Sequence, residues 1–359
     1  MSGHILIIDD EEKLRSLLAR IISLEGFDVE EAATIKSGLK KLEHQEFQAV
    51  LCDVKLPDGN GIELTKKIKS AYPLTEIILL TAYGTIADGV QSIKHGAFDY
   101  IIKGDDNDKI IPLLNRAVEK AQLQQRVLQL EKKVGAHYSF ENIIGSSPQI
   151  REAIALSKKV AATDATVLLL GETGTGKEVF AQAIHYGSAR RTKNFVAVNC
   201  AALGRDILES ELFGYKAGAF TGAVKDKRGL FEEAHEGTLF LDEIGEMNLD
   251  LQTKLLRVLE MNEFIKVGDT TPTKVNVRVI SATNKNLEQE VDAARFRSDL
   301  FYRLAVFQIS LPPLRDRIKD IEGLADYYLA LFSVKVNKPA PKIGADFLQK
   351  LEAHQWKGN

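Results

Sequence analysis

Gly171-Glu172-Thr173-Gly174-Thr175-Gly176-Lys177-Glu178 is the stretch on which the reading of this chain turns. The apolar run Val167 to Leu170 precedes it, and a helical pattern begins near Val179. A buried strand, a glycine-rich turn and a helix together make a phosphate cradle. The glycines let backbone N–H groups close around phosphate oxygens, the helix N-terminus adds positive potential, and Lys177 reaches the β- and γ-phosphates. A tight turn needing positive φ explains the glycines alone, but not their spacing to the lysine. Glu178 stands where a Ser or Thr hydroxyl usually binds Mg²⁺, so a second acidic element must carry the metal.

Downstream, Gly237-Thr238-Leu239-Phe240-Leu241 reads as a buried strand and ends in Asp242-Glu243. Asp242 is the hard oxygen ligand for Mg²⁺, and Glu243 is placed to polarise an attacking water as general base. Phe195 to Asn199 is a further apolar strand ending in an amide. Val277 to Ala282 ends in Thr283-Asn284, polar groups suited to sensing a γ-phosphate. The Ile143-Ile144-Gly145 turn reads equally as a contact for a base and as a plain helix entry. Arg297 and Arg303 flank Ser298 to Tyr302. Arginine matches the spread charge of a phosphoryl transition state, and salt bridging with Asp299 is the alternative.

The first third of the chain alternates strand-like runs with helical patterns, as a doubly wound parallel sheet does. His4 to Ile8 ends at Asp9 and Asp10, Phe47 to Cys52 at Asp53, Ile77 to Leu80 at Thr81, and Tyr100 to Ile102 at Lys103. Open α/β sheets place their sites at such strand ends. Three converging carboxylates repel one another unless a hard cation such as Mg²⁺ sits among them. Phosphoryl transfer suits the set: Asp53 as nucleophile, Asp9 and Asp10 with Asp53 as metal ligands, Thr81 and Lys103 on the phosphoryl oxygens. Singly each residue has a plainer use as helix cap, turn opener or surface lysine.

With 359 residues the chain exceeds what one core supports, so at least two domains are expected. A net charge of −3 gives no global field that recruits nucleic acid. The two cysteines, Cys52 and Cys200, read as buried free thiols. No signal peptide opens the chain and no apolar run suffices for a membrane helix, so a cytoplasmic location without membrane association is expected. Between the domains Leu123, Val127, Leu130 and Val134 recur at spacings of four, three and four, a short two-stranded coiled-coil seam joining two copies. A stripe packed on its own domain is the alternative, and Gly135-Ala136-His137 is expected to break the helix.

Residues 1–122 resemble the receiver domain of two-component response regulators, on Asp9-Asp10, Asp53-Val54-Lys55-Leu56-Pro57-Asp58-Gly59, Leu80-Thr81-Ala82-Tyr83-Gly84 and Tyr100-Ile101-Ile102-Lys103. The resemblance implies phosphorylation of Asp53 by a sensor histidine kinase, with Thr81 and Tyr100 shifting as the switch. Family members carry proline after the lysine. Here Gly104 leads into Asp105-Asp106-Asn107-Asp108, which implies a looser lysine loop.

The second domain resembles the AAA+ ATPase of sigma-54-dependent transcription activators of the nitrogen-regulator type. Gly218-Ala219-Phe220-Thr221-Gly222-Ala223 carries the likeness, and Gly176-Lys177-Glu178 agrees with it. Phe220, in a run without helical or strand period, already reads as a partner contact. The resemblance implies that this loop touches sigma-54, that Asn199 holds Glu243 until the γ-phosphate signals, and that Arg297 and Arg303 reach a neighbouring subunit's nucleotide. It further implies that the Glu260 to Gly268 stretch is a second loop beside the first, and that Leu311 to Arg317 opens a helical lid.

The expected organisation is therefore a flavodoxin-like receiver at 1–122, a helical dimerisation linker at 123–139, an AAA+ α/β subdomain at 140–311 and a partial lid at 312–359. The expected cofactors are ATP and Mg²⁺, one ion in the receiver and one with the nucleotide. The expected partners are sigma-54 RNA polymerase, a cognate kinase and further copies of the chain, as an inactive dimer and an active ring. Family members continue past Trp356-Lys357-Gly358-Asn359 into a helix-turn-helix, so enhancer DNA is expected to bind only through a C-terminal domain beyond this chain. Two rival expectations are a protein-unfolding machine without a promoter role and a binding module in which nucleotide is structural.

Overall fold

Ile5, Leu6, Ile7 and Ile8 are each fully buried, so this run has no solvent face, as befits a central parallel strand covered by helices on both sides. The computed structural model describes residues 3–82, 93–104 and 107–359, with backbone alone for 107, 131–134, 136 and 137. Tyr83, Gly84, Asp105 and Asp106 lie outside the described residues, as does the side chain of Val134. The chain forms two units, 1–132 and 133–359.

In the first unit the main elements are β1 (His4–Ile8), α1 (Glu12–Leu24), β2 (Asp28–Ala32), α2 (Ile35–His44), β3 (Ala49–Asp53), α3 (Gly61–Ala71), β4 (Glu76–Thr81), β5 (Asp99–Ile102) and the start of α4 (Ile110–His137). All pairings in the five-stranded sheet are parallel, in the order β2-β1-β3-β4-β5. This is the flavodoxin-like order, with its switch point between β1 and β3, where Asp9 and Asp53 stand. The apolar-run reading passes over β2, whose residues Asp28-Val29-Glu30-Glu31-Ala32 form an edge strand open to solvent. Strand β3 starts at Ala49 rather than Phe47 and includes Asp53.

Helix α4 buries Leu114, Ala117, Val118 and Ala121 against the first unit's core, then leaves Leu123, Val127 and Leu130 exposed. Helix α4 ends at His137, the last residue of the expected Gly135-Ala136-His137 break, and carries Gly135 within it. A single glycine costs a helix only about 1 kcal/mol, which neighbouring turns absorb.

In the second unit the elements that position the site are α5 (Pro148–Ala161), β6 (Val167–Leu170), α6 (Lys177–Tyr186), β7 (Phe195–Asn199), α7 (Arg205–Phe213), β8 (Thr238–Asp242), α8 (Leu249–Met261), β9 (Arg278–Thr283), α9 (Ser298–Leu304), β10 (Phe307–Ser310), α10 (Ile321–Lys335) and α11 (Ala345–Glu352). Helix α6 starts at Lys177 itself, two residues before the apolar periodicity shows. The sheet is parallel throughout, in the order β10-β6-β9-β8-β7. Its faces are packed by two apolar clusters, one around Ile150, Phe180, Ile184 and Ile280, the other around Phe213, Phe231, Leu255 and Phe264. Both cysteines are buried and free. Among the described residues no helix is long and apolar enough to cross a membrane.

Candidate functional site

In the first unit, Asp9, Asp10 and Asp53 bring carboxylate oxygens within 4.8 Å of one another. Asp9 and Asp53 are buried, while Asp10 is exposed. Lys103, delivered by β5, places Nζ 2.5 Å from Asp53 Oδ2 and 2.8 Å from Asp9 Oδ2. Burial alone would lower the Lys103 pKa, but its close contacts with the Asp53 and Asp9 carboxylates and their charges outweigh it and raise it. The contact with Asp9 is ionic rather than a well-directed hydrogen bond, for Oδ2 is buried without a hydrogen-bond partner among the described residues. Three carboxylates facing one ammonium leave negative charge over, and an oxygen-only donor set of this kind fits Mg²⁺. The loop after Lys103, expected to be looser, runs into Asp105 and Asp106, which lie outside the described residues. The Lys103 backbone N–H bonds Thr81 O at 2.8 Å, and Gly104 turns the chain at φ +96, a conformation closed to proline.

Thr81 ends β4 and Tyr100 lies within β5, both half-buried. Two features of this unit escaped the sequence reading. Asp58 accepts the backbone N–H groups of Ile35 and Lys36 at 2.9 Å each, tying the loop after Asp53 to the start of α2. A Cβ on Gly61 would lie 2.2 Å from Asp53 O, so only glycine fits there. The Pro57-Asp58-Gly59 turn was the available signal for the first; nothing local marks the second.

In the second unit, Gly171 to Lys177 links β6 to α6, with Gly174 at φ +84 and Gly176 at φ +100. Lys177 is buried; its Nζ donates to Gly171 O at 2.9 Å and lies 3.2 Å from Glu243 Oε1. Glu243 sits at φ +51, a left-handed conformation that costs a non-glycine residue about 1–3 kcal/mol. That turn aims its other oxygen at the N–H of Asn284, 3.2 Å away, and the Asn284 amide reaches Thr173 Oγ1 at 3.2 Å. Asp242 closes β8. Burial and the neighbouring Glu243 charge raise its carboxyl above the usual carboxylate range, against the pull of Lys177. Its Oδ1 is buried with no hydrogen-bond partner among the described residues. An orphaned, half-buried carboxylate beside a phosphate loop fits a hard cation.

One expectation needs correcting. The Asn199 amide donates to Asp242 Oδ2 at 3.4 Å, not to Glu243. Asn199 and Asp242 are register partners across β7 and β8, whereas the left-handed turn carries Glu243 away toward Lys177. Glu178 stands in the first turn of α6, where Gln182 bonds it at 3.3 Å.

Beside the loop opens a cleft of about 840 Å³, lined in part by Tyr138, Ile143, Ile144, Gly176, Arg317 and Tyr328. Arg317 is a residue the sequence reading missed. It is buried, its Nη2 donates to Thr175 O at 3.2 Å, and its Nε has no hydrogen-bond partner among the described residues. Arg315 pairs with Glu172 through two bonds of 2.8 and 2.5 Å. Asp320 gathers the N–H groups of Ser146 and Ser147 and the Ser147 hydroxyl.

Arg297 pairs with Asp299 through bonds of 3.0 and 2.7 Å, and Arg303 donates to Leu259 O at 3.0 Å. Those partners belong to α9 and α8 rather than to the glycine-rich loop. Phe220 is 47% exposed and meets Tyr215 edge-on at 4.9 Å. Gly218 (φ +84) and Gly222 (φ +102) shape its loop, which Gly218 N–H to Ala223 O closes at 2.8 Å. Ala219, exposed Thr221 and buried Ala223 complete it. Tyr215 bridges Val267, and Lys216 N–H bonds Val267 O at 3.0 Å, so the Glu260 to Gly268 stretch does lie alongside.

Known proteins resemble the chain over both units. The family model described as the sigma-54 interaction domain matches residues 143–310, and that of the response regulator receiver domain matches 5–115. The chain is 41% identical to the regulatory protein AtoC of Escherichia coli (strain K12) over 357 residues, covering 99% of this chain and 77% of that protein. It is 39% identical to the DNA-binding transcriptional regulator NtrC of Proteus hauseri, with 99% and 75% covered. The crystal structure of NtrX from Brucella abortus in complex with ATP is similar over 100% of this chain and 78% of that one, with a TM-score of 0.68 and 34% identity.

Proposed function

The chain belongs to the response regulators with a sigma-54 interaction domain, a family whose function is ATPase-driven activation of sigma-54 transcription, and from that premise we propose how its residues divide the work. Asp53 receives a phosphoryl group from a sensor histidine kinase, by attack of a carboxylate oxygen on phosphorus with departure of the kinase histidine. Lys103 and Thr81 stabilise the equatorial oxygens, and Thr81 and Tyr100 relay the change. Asp9, Asp10 and Asp53 would hold Mg²⁺ in this unit and Asp242 in the other, where the ion would neutralise phosphate charge.

In the second unit, Gly171 to Glu178 cradles ATP, with Lys177 on its terminal phosphates. Glu243 orients and deprotonates the attacking water, Asn199 restrains the Asp242-Glu243 pair until the γ-phosphate signals, Asn284 senses that phosphate, and Arg297 and Arg303 act on the nucleotide of an adjacent copy. Hydrolysis in an assembly of such copies drives the Gly218–Ala223 loop against sigma-54 in the cytoplasm. The exposed Leu123, Val127 and Leu130 stripe supports a dimer contact along α4. The observation that carries the reading is the approach of Lys177 to Glu243 at 3.2 Å across 66 residues of sequence, beside the orphaned Asp242 oxygen.

The test is capture of sigma-54 in the presence of ADP and aluminium fluoride. The wild-type protein should retain sigma-54. Phe220→Ala should lose it while still hydrolysing ATP at the wild-type rate. Capture by Phe220→Ala equal to wild type would refute the assignment of the loop.

A further inference from the structure

Gln252, in the first turn of α8, is fully buried, yet its amide carries three hydrogen bonds to backbone. Nε2 donates to Met247 O at 2.7 Å and to Arg295 O at 3.1 Å, and Oε1 accepts the N–H of Arg297 at 2.8 Å. Two carbonyls on one side and an N–H on the other leave one amide orientation that satisfies all three. A polar group this buried is expensive to leave unmatched, so the three backbone points move together or not at all.

These points belong to two functional segments. Met247 closes the short turn that follows Asp242 and Glu243: Glu246 N–H bonds Glu243 O at 3.0 Å, and Met247 N–H bonds Ile244 O at 3.1 Å. On the other side, Arg297 is anchored twice on consecutive residues of α8, its backbone on Gln252 and its Nη1 on Thr253 Oγ1 at 3.3 Å. Asp299, itself oriented by the Leu300 N–H at 2.7 Å, holds the rest of the guanidinium.

We propose that Gln252 is a positioning residue that ties the Arg297 finger of each subunit to that subunit's own catalytic turn. A shift of Glu243 on gain or loss of the γ-phosphate passes through Ile244 to Met247 into the Gln252 amide. It leaves through the backbone of Arg295 and Arg297, so the state of one nucleotide sets how the arginine is presented to the next. The inference rests on the reading above that Arg297 acts on a neighbouring copy.

The experiment mixes subunits of the full chain carrying beryllofluoride on the receiver and measures ATP turnover. Arg297→Ala subunits keep an intact nucleotide site and lack the finger; Glu243→Gln subunits keep the finger and lack the base. Their mixture should recover activity that neither has alone. Gln252→Met, similar in length and unable to hydrogen-bond, should lower kcat by about 10²-fold, as a catalytic group misplaced by an ångström does, with ATP affinity unchanged. Mixed with Glu243→Gln it should recover activity; mixed with Arg297→Ala it should stay inactive. Gln252→Glu, which retains only the acceptor, should repeat the pattern, and it replaces Gln252→Met if that variant melts early or fails to bind ATP.

The reverse pattern, recovery with Arg297→Ala and none with Glu243→Gln, would overturn the inference by assigning Gln252 to its own subunit's site. Wild-type turnover by either Gln252 variant would overturn it too. Failure of the reference mixture to recover would instead refute the shared site on which the inference stands.

Discussion

Lys103 and Lys177 each sit at the C-terminal edge of a parallel sheet, held against carboxylates, but the two lysines are held by different kinds of neighbour. Lys103 faces Asp53 at 2.5 Å and Asp9 at 2.8 Å, all three borne on strands or strand ends of one unit. Lys177 leans on the carbonyl of Gly171 and on a single acid, Glu243, that a left-handed turn presents. The receiver's charged groups are thus complete within one chain. In the second unit the arginines suited to a phosphoryl transition state are anchored on α8 and Asp299, away from the loop that would hold the nucleotide. On the reading proposed above, completeness in one chain against completion by a neighbour is the difference between the two sites.

The comparison breaks most sharply at Asp53. Asp53→Asn should abolish phosphoryl incorporation from a small-molecule phosphodonor, followed as acid-labile label, while ATP binding by the second unit is unchanged. A variant still labelled at the wild-type level would remove Asp53 from its role. Lys177→Ala should act in the other direction. ATP turnover, read as phosphate release, should fall on the order of 10²–10³-fold for loss of a preorganised positive charge, with receiver labelling intact. Equal damage to both activities would mean that the units are not chemically separate.

The smallest effect concerns acid stability. His185 is fully buried, with Nδ1 at 2.9 Å from Thr238 Oγ1, and burial pushes its pKa down from 6.5 to about 4. The unfolded chain therefore takes up a proton near pH 6.5 while the folded chain resists until about pH 4. The contribution is full above pH 6.5, is lost progressively as pH falls toward 4, and should appear as a falling melting temperature of the second unit. His185→Gln, which keeps a polar partner for Thr238, should flatten that limb. An unchanged pH profile would contradict the assignment.

Much of this was legible in the sequence because it is local. Strand-end residues such as Asp9, Asp53, Lys103, Asp242 and Asn284 follow from apolar runs that stop at a polar residue, and the glycine-rich loop follows from spacing. The rest depends on chain segments meeting. That Asp9 is buried and Asp10 exposed is decided by how the end of β1 sits among its neighbours, not by either residue's type. Asn199 contacts Asp242 because β7 and β8 are register partners, which no single strand reveals. Gly61 is required by the carbonyl of Asp53, and Arg317 meets Thr175 across 142 residues of sequence. Gln252 looks like an ordinary helical glutamine until Met247, Arg295 and Arg297 close around it.

The central claim is that the nucleotide site is completed by a second copy of the chain. ATP turnover per subunit, measured over a wide range of protein concentration with beryllofluoride on Asp53, tests it most directly. The account predicts a specific activity that rises with concentration and then levels off as assembly saturates. A specific activity that stays constant from the most dilute sample to the most concentrated would contradict it.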